Sequence, residues 1–114
     1  MAITSMATVS LHPDRASPEG VGELQLFVVK DGVLYTSWKT TDEAGAPWTP
    51  LQLFQPQPGQ PVDQVAAGRL SDGRAQVFVS AGQNTMTTWK QTTNEGSTWT
   101  SSNGPNSWSP FTPS

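Results

Sequence analysis

The residues of this 114-residue chain best suited to hold a ligand are three of its five tryptophans. Trp48, Trp99 and Trp108 lie beside Gly, Ser, Asn and Pro residues that form turns, where a large ring is hard to bury completely. An exposed indole can stack on the C–H face of a sugar while amides and charged groups bind its hydroxyls. The alternative is that all three rings are packing residues at interfaces between repeated blades. Trp38 and Trp89 lie within predicted strands, and we expect them in the core.

Catalytic constellations are weak in this sequence. A glycosidase pair must flank the scissile bond from two directions, whereas Asp42 and Glu43 are adjacent in a predicted turn. The single histidine, His12, lies in another predicted turn without a nucleophile elbow. The chain has no cysteine and no cluster of oxygen ligands, which argues against disulfides and metal sites. We therefore expect a protein that is not an enzyme and that uses no metal or cofactor.

The charge and the hydrophobicity of the chain limit the classes of partner that it can bind. Six basic and nine acidic residues give a net charge of −3, which argues against binding to phosphate backbones of nucleic acids. The aromatic residues offer enough apolar surface for a globular domain. Residues 1–9 lack the charged start and apolar run of a signal peptide, and no segment is long and apolar enough for a membrane span. We expect a soluble protein without membrane insertion, cytoplasmic or released without a classical signal peptide.

An internal repeat organises the chain. An offset of 51 residues aligns residues 25–29 with 76–80, residues 36–39 with 87–90, and Trp48 with Trp99. Beyond Trp99 the register breaks, and residues 108–111 resemble residues 48–51 at an offset of 60, as if the second copy carried an insertion. The sequence leaves open whether Trp99 or Trp108 corresponds to Trp48.

Each copy is predicted to contain four β-strands, because apolar residues alternate over short runs bounded by turn formers. Ten Gly and ten Pro residues also disfavour helices. The predicted strands are 8–11, 24–29, 33–39 and 48–54 in the first copy, and 65–70, 75–80, 85–92 and either 98–101 or 107–111 in the second. Hairpin turns are predicted at Asp31-Gly32 and Asp72-Gly73.

Repeated units of four antiparallel strands and about fifty residues are typical of β-propeller blades. The prediction is an all-β single unit over residues 1–114, with blades at about 6–55 and 62–112 and a Pro-rich connector at about 55–61 that is too polar to pack. Two blades leave two apolar faces open, so we expect homo-oligomerisation to complete the ring, as a homotrimer or a homotetramer. The alternative is a β-sandwich with an accidental repeat.

Two hairpins resemble the Asp box of sialidase-like propellers, S-x-D-x-G-x-T-W. Residues 92–99 follow this pattern closely, and residues 41–48 follow it more loosely with Glu43 at the acidic position. In such a turn a short Asx side chain caps backbone amides and glycine takes a positive φ. We therefore expect Asn94, Gly96 and Gly45 to be structural, in support of a propeller.

Residues 67–79 and 88–91, followed by Trp99 and Trp108, resemble one blade of the PLL-like bacterial β-propeller lectins. Residues 23–29 with Trp38-Lys39 resemble a more divergent second blade. The resemblance covers residues 8–112 and implies a non-enzymatic propeller that binds fucose and O-methylated sugars in shallow sites between blades. Carried over, it implies stacking and polar contacts from Trp48, Trp99, Trp108, Arg74, Glu95 and Gln91.

The first copy departs from that pattern. It has Gly22-Glu23 where the second copy has residues 72–74, so a site that depends on Arg74 would occur once per chain. A two-blade chain also resembles small fucose-binding propeller lectins that assemble as trimers, or an excised fragment. The predicted function is a lectin for fucosylated or O-methylated glycans, made multivalent by oligomerisation. The alternative is a protein-interaction or structural propeller fragment that binds no sugar.

Overall fold

A computed structural model of the chain describes residues 3–10, 24–39, 47–92 and 98–111. Within these ranges the regular structure is entirely β, which confirms the predicted all-β class. The strands are β1 (Ile3–Ser10), β2 (Leu24–Lys30), β3 (Val33–Trp38), β4 (Gln52–Leu53), β5 (Gln64–Arg69), β6 (Ala75–Ala81), β7 (Asn84–Lys90), β8 (Trp99–Ser101), β9 (Gly104–Pro105) and β10 (Ser109–Pro110).

The strands form two antiparallel sheets, one from each sequence copy. The first sheet has the order β1-β2-β3-β4, and the second has the order β5-β6-β7-β8-β9 with β10 also paired to β7. The predicted turn at Asp31-Gly32 is confirmed, since both residues have positive φ, 54° and 78°, as the tightest hairpin turn requires. The turn at Asp72-Gly73 is confirmed as well, because the amide of Gly73 donates to the carbonyl of Leu70 at 2.9 Å.

Several strand boundaries differ from the prediction. β1 begins at Ile3 instead of Thr8, and the predicted strand 48–54 is reduced to β4 and an isolated bridge between Lys39 and Trp48. The two alternatives for the last strand both form, as β8 and β10. His12, the Asp42-Glu43 pair and the central residues of both Asp-box-like hairpins, including Gly45, Asn94, Glu95 and Gly96, lie outside the described residues.

The repeat is present in the hydrogen bonds. The Gln25 side-chain amide donates to Thr36 Oγ1 at 3.0 Å, and the Gln76 amide donates to Thr87 Oγ1 at 2.9 Å. Each threonine hydroxyl in turn donates to a carbonyl of the neighbouring strand, at 3.0 Å and 2.9 Å. Every partner is related by the offset of 51, so the repeat is a structural unit and not an accident of composition.

Strand pairing decides which tryptophan corresponds to Trp48. Trp48 lies opposite Lys39 and Trp99 lies opposite Lys90, which keeps the offset of 51. Thr36 and Thr87 are counterparts at the offset of 51, and their partners on the next strand are Gln52 and Ser109. Gln52 and Ser109 are 57 residues apart, so the offset has increased to 57. Trp99 is therefore the counterpart of Trp48.

The match of Trp108 to Trp48 at an offset of 60 is wrong. Since the offset before the next strand is 57, Trp108 holds the position of Leu51. The difference of 57 minus 51 leaves six extra residues in the second copy, and the hairpin of β8 and β9 accommodates them. This hairpin is the insertion that the sequence indicated.

The core lies between the two sheets. Phe27 lies in β2, Phe54 directly follows β4, and Val77 and Val79 lie in β6; all four are fully buried. Burying each such side chain contributes about 1.5–3 kcal/mol. The sheets also join through polar atoms, because the amide of Val65 donates to Ser5 Oγ at 3.1 Å.

The Pro-rich connector is held by hydrogen bonds, although none of residues 55–61 is buried. The Gln57 amide donates to the carbonyls of Leu34 and Phe54 at 2.9 and 2.7 Å. The carbonyl of Pro56 accepts the indole N–H of Trp108 at 2.7 Å. Prolines keep their carbonyl acceptors, so a chain poor in apolar side chains can still be held by hydrogen bonds.

Candidate functional site

Two of the three proposed stacking rings belong to the core. Trp99 and Trp108 are only 7% and 8% exposed, and their centroids lie 5.0 and 5.8 Å from that of Phe54. Phe27 adds an edge contact to Trp99 at 6.1 Å. The expectation that both rings stay partly exposed is wrong, because the opposite sheet supplies the apolar partners. Neither ring offers a surface for stacking on a sugar.

Trp48 differs from its counterpart. It is 41% exposed, whereas Trp99 is buried and lies under Lys90 Nζ, which is 5.9 Å from the ring centroid. In the first sheet, Phe27, Val29 and Leu34 turn toward the core. Trp48 belongs to the opposite, outer side, which faces away from the second sheet.

Arg74 is held by two neighbours. Its Nε donates to Asp72 Oδ2 at 2.7 Å, and its Nη1 donates to the carbonyl of Lys90 at 3.2 Å. The backbone amide of Arg74 also donates to Asp72 Oδ1 at 3.2 Å. This amide, together with the guanidinium, holds the pKa of Asp72 below its usual value. The Arg74 side chain is 28% exposed, so it is oriented by these partners and partly open to solvent.

Gln91 lies beside Arg74. Its backbone amide donates to the carbonyl of Thr98 at 3.0 Å, and its side-chain oxygen accepts the Thr98 hydroxyl at 2.7 Å. The carbonyl that Arg74 binds belongs to Lys90, the residue immediately before Gln91. The structure thus brings Arg74 and Gln91 together at one end of the second sheet, while the third polar candidate, Glu95, lies outside the described residues.

An aromatic residue that the sequence assigned to the core completes this end of the sheet. Trp89 is half-buried and lies directly opposite Gln76 on the neighbouring strand. Because strand side chains alternate, Gln76 and Trp89 share the far face, which is the side of the second sheet turned away from the first. Arg74 precedes Gln76 by two residues and Gln91 follows Trp89 by two, so the register, continued one residue past the ends of β6 and β7, places them on the same face.

We call Asp72, Arg74, Gln76, Trp89 and Gln91 the Arg74 cluster. Its chemistry combines charged and amide N–H donors, amide oxygens and an indole. The sequence prediction missed Trp89 because a mid-strand position does not tell which face of the strand is covered. Its partner Gln76 gave no signal either, because Gln25, the counterpart of Gln76 and the neighbour of Trp38, is buried. Trp38 was also predicted for the core and is likewise half-buried.

Comparisons of this chain with protein families, with curated proteins and with solved structures yield no match. In the described part of the chain, no helix is long and apolar enough to cross a membrane. The same ranges hold no group of three or more residues with metal-ligating side chains. Functional inference therefore depends on the site geometry and on the repeat.

Proposed function

We propose that this chain is a non-enzymatic, carbohydrate-binding lectin that holds glycans at the Arg74 cluster. The observation that carries the proposal is a partly exposed Arg74 side chain fixed by Asp72 and the Lys90 carbonyl, at the end of the sheet where Gln91 and Trp89 also lie. Because its partners already fix this donor, it loses little conformational entropy when a ligand binds. This helps even a small ligand with few contacts, such as a single sugar, to bind. No metal or cofactor is required for such binding.

The charge of the site favours a neutral ligand. Asp72 lies against the guanidinium and compensates its charge, so an anion gains little there. The remaining groups suit hydroxyls, which donate to the Gln91 oxygen and accept from N–H groups. An apolar methyl group, as in fucose or an O-methylated sugar, suits contact with an indole face. Fucosylated and O-methylated glycans are therefore the proposed ligands.

The far face of the second sheet supports a site between blades. In a β-propeller, a further blade would cover the face that carries Gln76 and Trp89. Identical two-blade chains close such a ring as a homotrimer or a homotetramer, and each chain then contributes one Arg74 cluster. Several weak sites on one ring bind a glycan surface more tightly than a single site does.

A glycan array with fucosylated and O-methylated glycans tests this proposal, with Arg74→Gln as the probe variant. A charged hydrogen bond is worth about 1.5–3 kcal/mol, so we expect affinity to fall by a factor of about ten or more. Arg69→Gln is the matched control, because Arg69 is exposed and pairs with Ala75 on the other face of the same hairpin. Equal binding by both variants would refute the site.

The array also tests the class of function. Specific signal on these glycans from the intact protein supports the lectin. A silent array from a correctly assembled oligomer would refute the sugar assignment and favour a protein-interaction or structural role.

A further inference from the structure

The outer face of the first sheet carries exposed apolar side chains at its edges, whereas Val28 at its centre is buried. Strand pairing aligns Met6, Val28, Tyr35 and Leu53 in one row across all four strands. Met6 and Leu53, at the two ends of this row, are 58% and 48% exposed. Leu51 and Trp48 extend the exposed apolar surface beside it. Exposed apolar side chains grouped in this way are typical of an interaction surface.

The repeat identifies what covers a face of this kind. In the second sheet the counterparts of Val28, Trp48 and Leu51 are Val79, Trp99 and Trp108. All three counterparts are buried in the core against the first sheet. This face of the repeated unit is therefore covered when the opposite face of another unit packs on it. Within the described residues, no unit packs on the outer face of the first sheet.

The complementary surface is present on the second sheet. Within the core, Trp99 lies against a pair of rings, Phe27 and Phe54, whose centroids are 5.8 Å apart. Phe78 and Phe111 form the corresponding pair on the far face, with centroids 4.9 Å apart.

The backbone around this second pair repeats that of the first. The amide of Phe54 donates to Leu34 at 3.0 Å, and the amide of Phe111 donates to Thr85 at 2.8 Å. An open groove lined by Thr85, Pro110 and Phe111 adjoins the pair. Phe78 and Phe111 are half-buried, and among the described residues no tryptophan packs on them as Trp99 packs on Phe27 and Phe54.

We infer that Trp48 of one copy docks on Phe78 and Phe111 of a second copy, so that chains associate head to tail. Trp99 makes the same contact within one chain. The inference rests on the proposed oligomer, and it names the two surfaces through which the chains associate. The occupant is a second copy because each chain carries both halves of a contact it already makes internally. Such heterologous association propagates until it closes into a ring.

Two charge substitutions test the contact by blocking one surface each. Trp48→Glu blocks the outer face and Phe111→Glu blocks the far face. Each variant alone should have the mass of a single chain, 12.2 kDa, by light scattering, while the unaltered chain has a multiple of it. An equimolar mixture of the two variants should form dimers of twice that mass, since one unblocked surface of each kind remains. Ser102→Glu is the control, because Ser102 is exposed in the β8–β9 turn.

Cysteine cross-linking keeps the test independent of any folding defect in the charge variants. The chain contains no cysteine, so introduced thiols report only on each other. Under mild oxidation, Trp48→Cys mixed with Phe111→Cys should give a covalent dimer. Each single variant on its own should stay uncross-linked, because head-to-tail packing never brings two copies of one position together.

Three outcomes would overturn the inference: a charge variant that keeps the full mass, a mixture that forms no dimer together with no cross-link, or an unaltered chain that is monomeric. The sugar proposal is separable from all three. Arg74→Gln should keep the mass of the unaltered oligomer while glycan binding falls, and a monomeric chain that still binds the array would leave the lectin standing and the docking contact refuted.

Discussion

Replacing Trp108 by Phe tests whether this tryptophan holds the fold together or serves a ligand. The indole N–H donates to the Pro56 carbonyl at 2.7 Å, across 52 residues of sequence. Phenylalanine retains most of the ring and removes the donor, which leaves a carbonyl in a partly buried site without this partner. The expected loss is about 1–3 kcal/mol in the free energy of unfolding.

Trp108→Ala extends the same test to the ring. Trp108 is 8% exposed and packs on Phe54 at 5.8 Å between centroids. Truncating a buried aromatic side chain costs about 3–5 kcal/mol, a large part of the roughly 5–15 kcal/mol that stabilises a typical domain. The Trp108→Ala variant should therefore have a lower free energy of unfolding than the Trp108→Phe variant.

Urea unfolding followed by circular dichroism measures both values, with protein concentration held constant because association adds to apparent stability. Unchanged m-values are needed for a clean comparison. A Trp108→Phe variant within about 0.5 kcal/mol of the unaltered chain would refute the hydrogen bond, given its expected contribution. A Trp108→Ala variant that keeps its stability but loses glycan binding would refute the core assignment and restore Trp108 as a stacking residue.

Three further variants test other parts of the structure. Gly32→Ala should cost about 1–2 kcal/mol by urea unfolding, because φ is +78°, whereas Gly68→Ala, which has open space for a Cβ, should be nearly neutral. Thr88→Val should cost about 1–3 kcal/mol in the same assay, since the fully buried hydroxyl lies 2.9 and 3.0 Å from two carbonyls. The pKa of Asp72 is lowered in the folded protein. The ionised carboxylate therefore binds Arg74 at any pH above the usual aspartate pKa, and this interaction is lost as the pH falls through the lowered pKa. Glycan binding should therefore stay level from about pH 8 to about pH 5 and fall only below about pH 4, and Asp72→Asn should bind weakly throughout; a decline already near pH 6 would contradict this.

Local features were predictable from the sequence, whereas burial was not. The Asp31-Gly32 turn and the 51-residue repeat depend on neighbouring residues or on self-similarity, and both are in the structure. The positions of Trp99 and Trp108 depend on Phe27 and Phe54, which come from the other copy of the repeat. A turn-rich context therefore says little about exposure once a second sheet covers the turn.

The same limit applied to the polar connector and to Trp89. No apolar pattern marks residues 55–61, because these residues are held by hydrogen bonds to main-chain carbonyls, which every residue has. For Trp89, alternation along β7 gives the face but not whether that face is covered, which depends on a unit beyond the pair.

The repeat separates two roles that the tryptophans were expected to share. Trp99 is buried by its position in the unit, and Trp48 occupies the same position in the other copy, so packing is the role that the structure gives to this site in the repeat. Trp89 lies instead on the face with Arg74 and Gln91, where polar neighbours suit a sugar. Association should accordingly depend on Trp48 and glycan affinity at each site on Arg74. If altering Arg74 dissociated the oligomer, the far face would be a subunit contact over its whole length and would leave no room for a glycan.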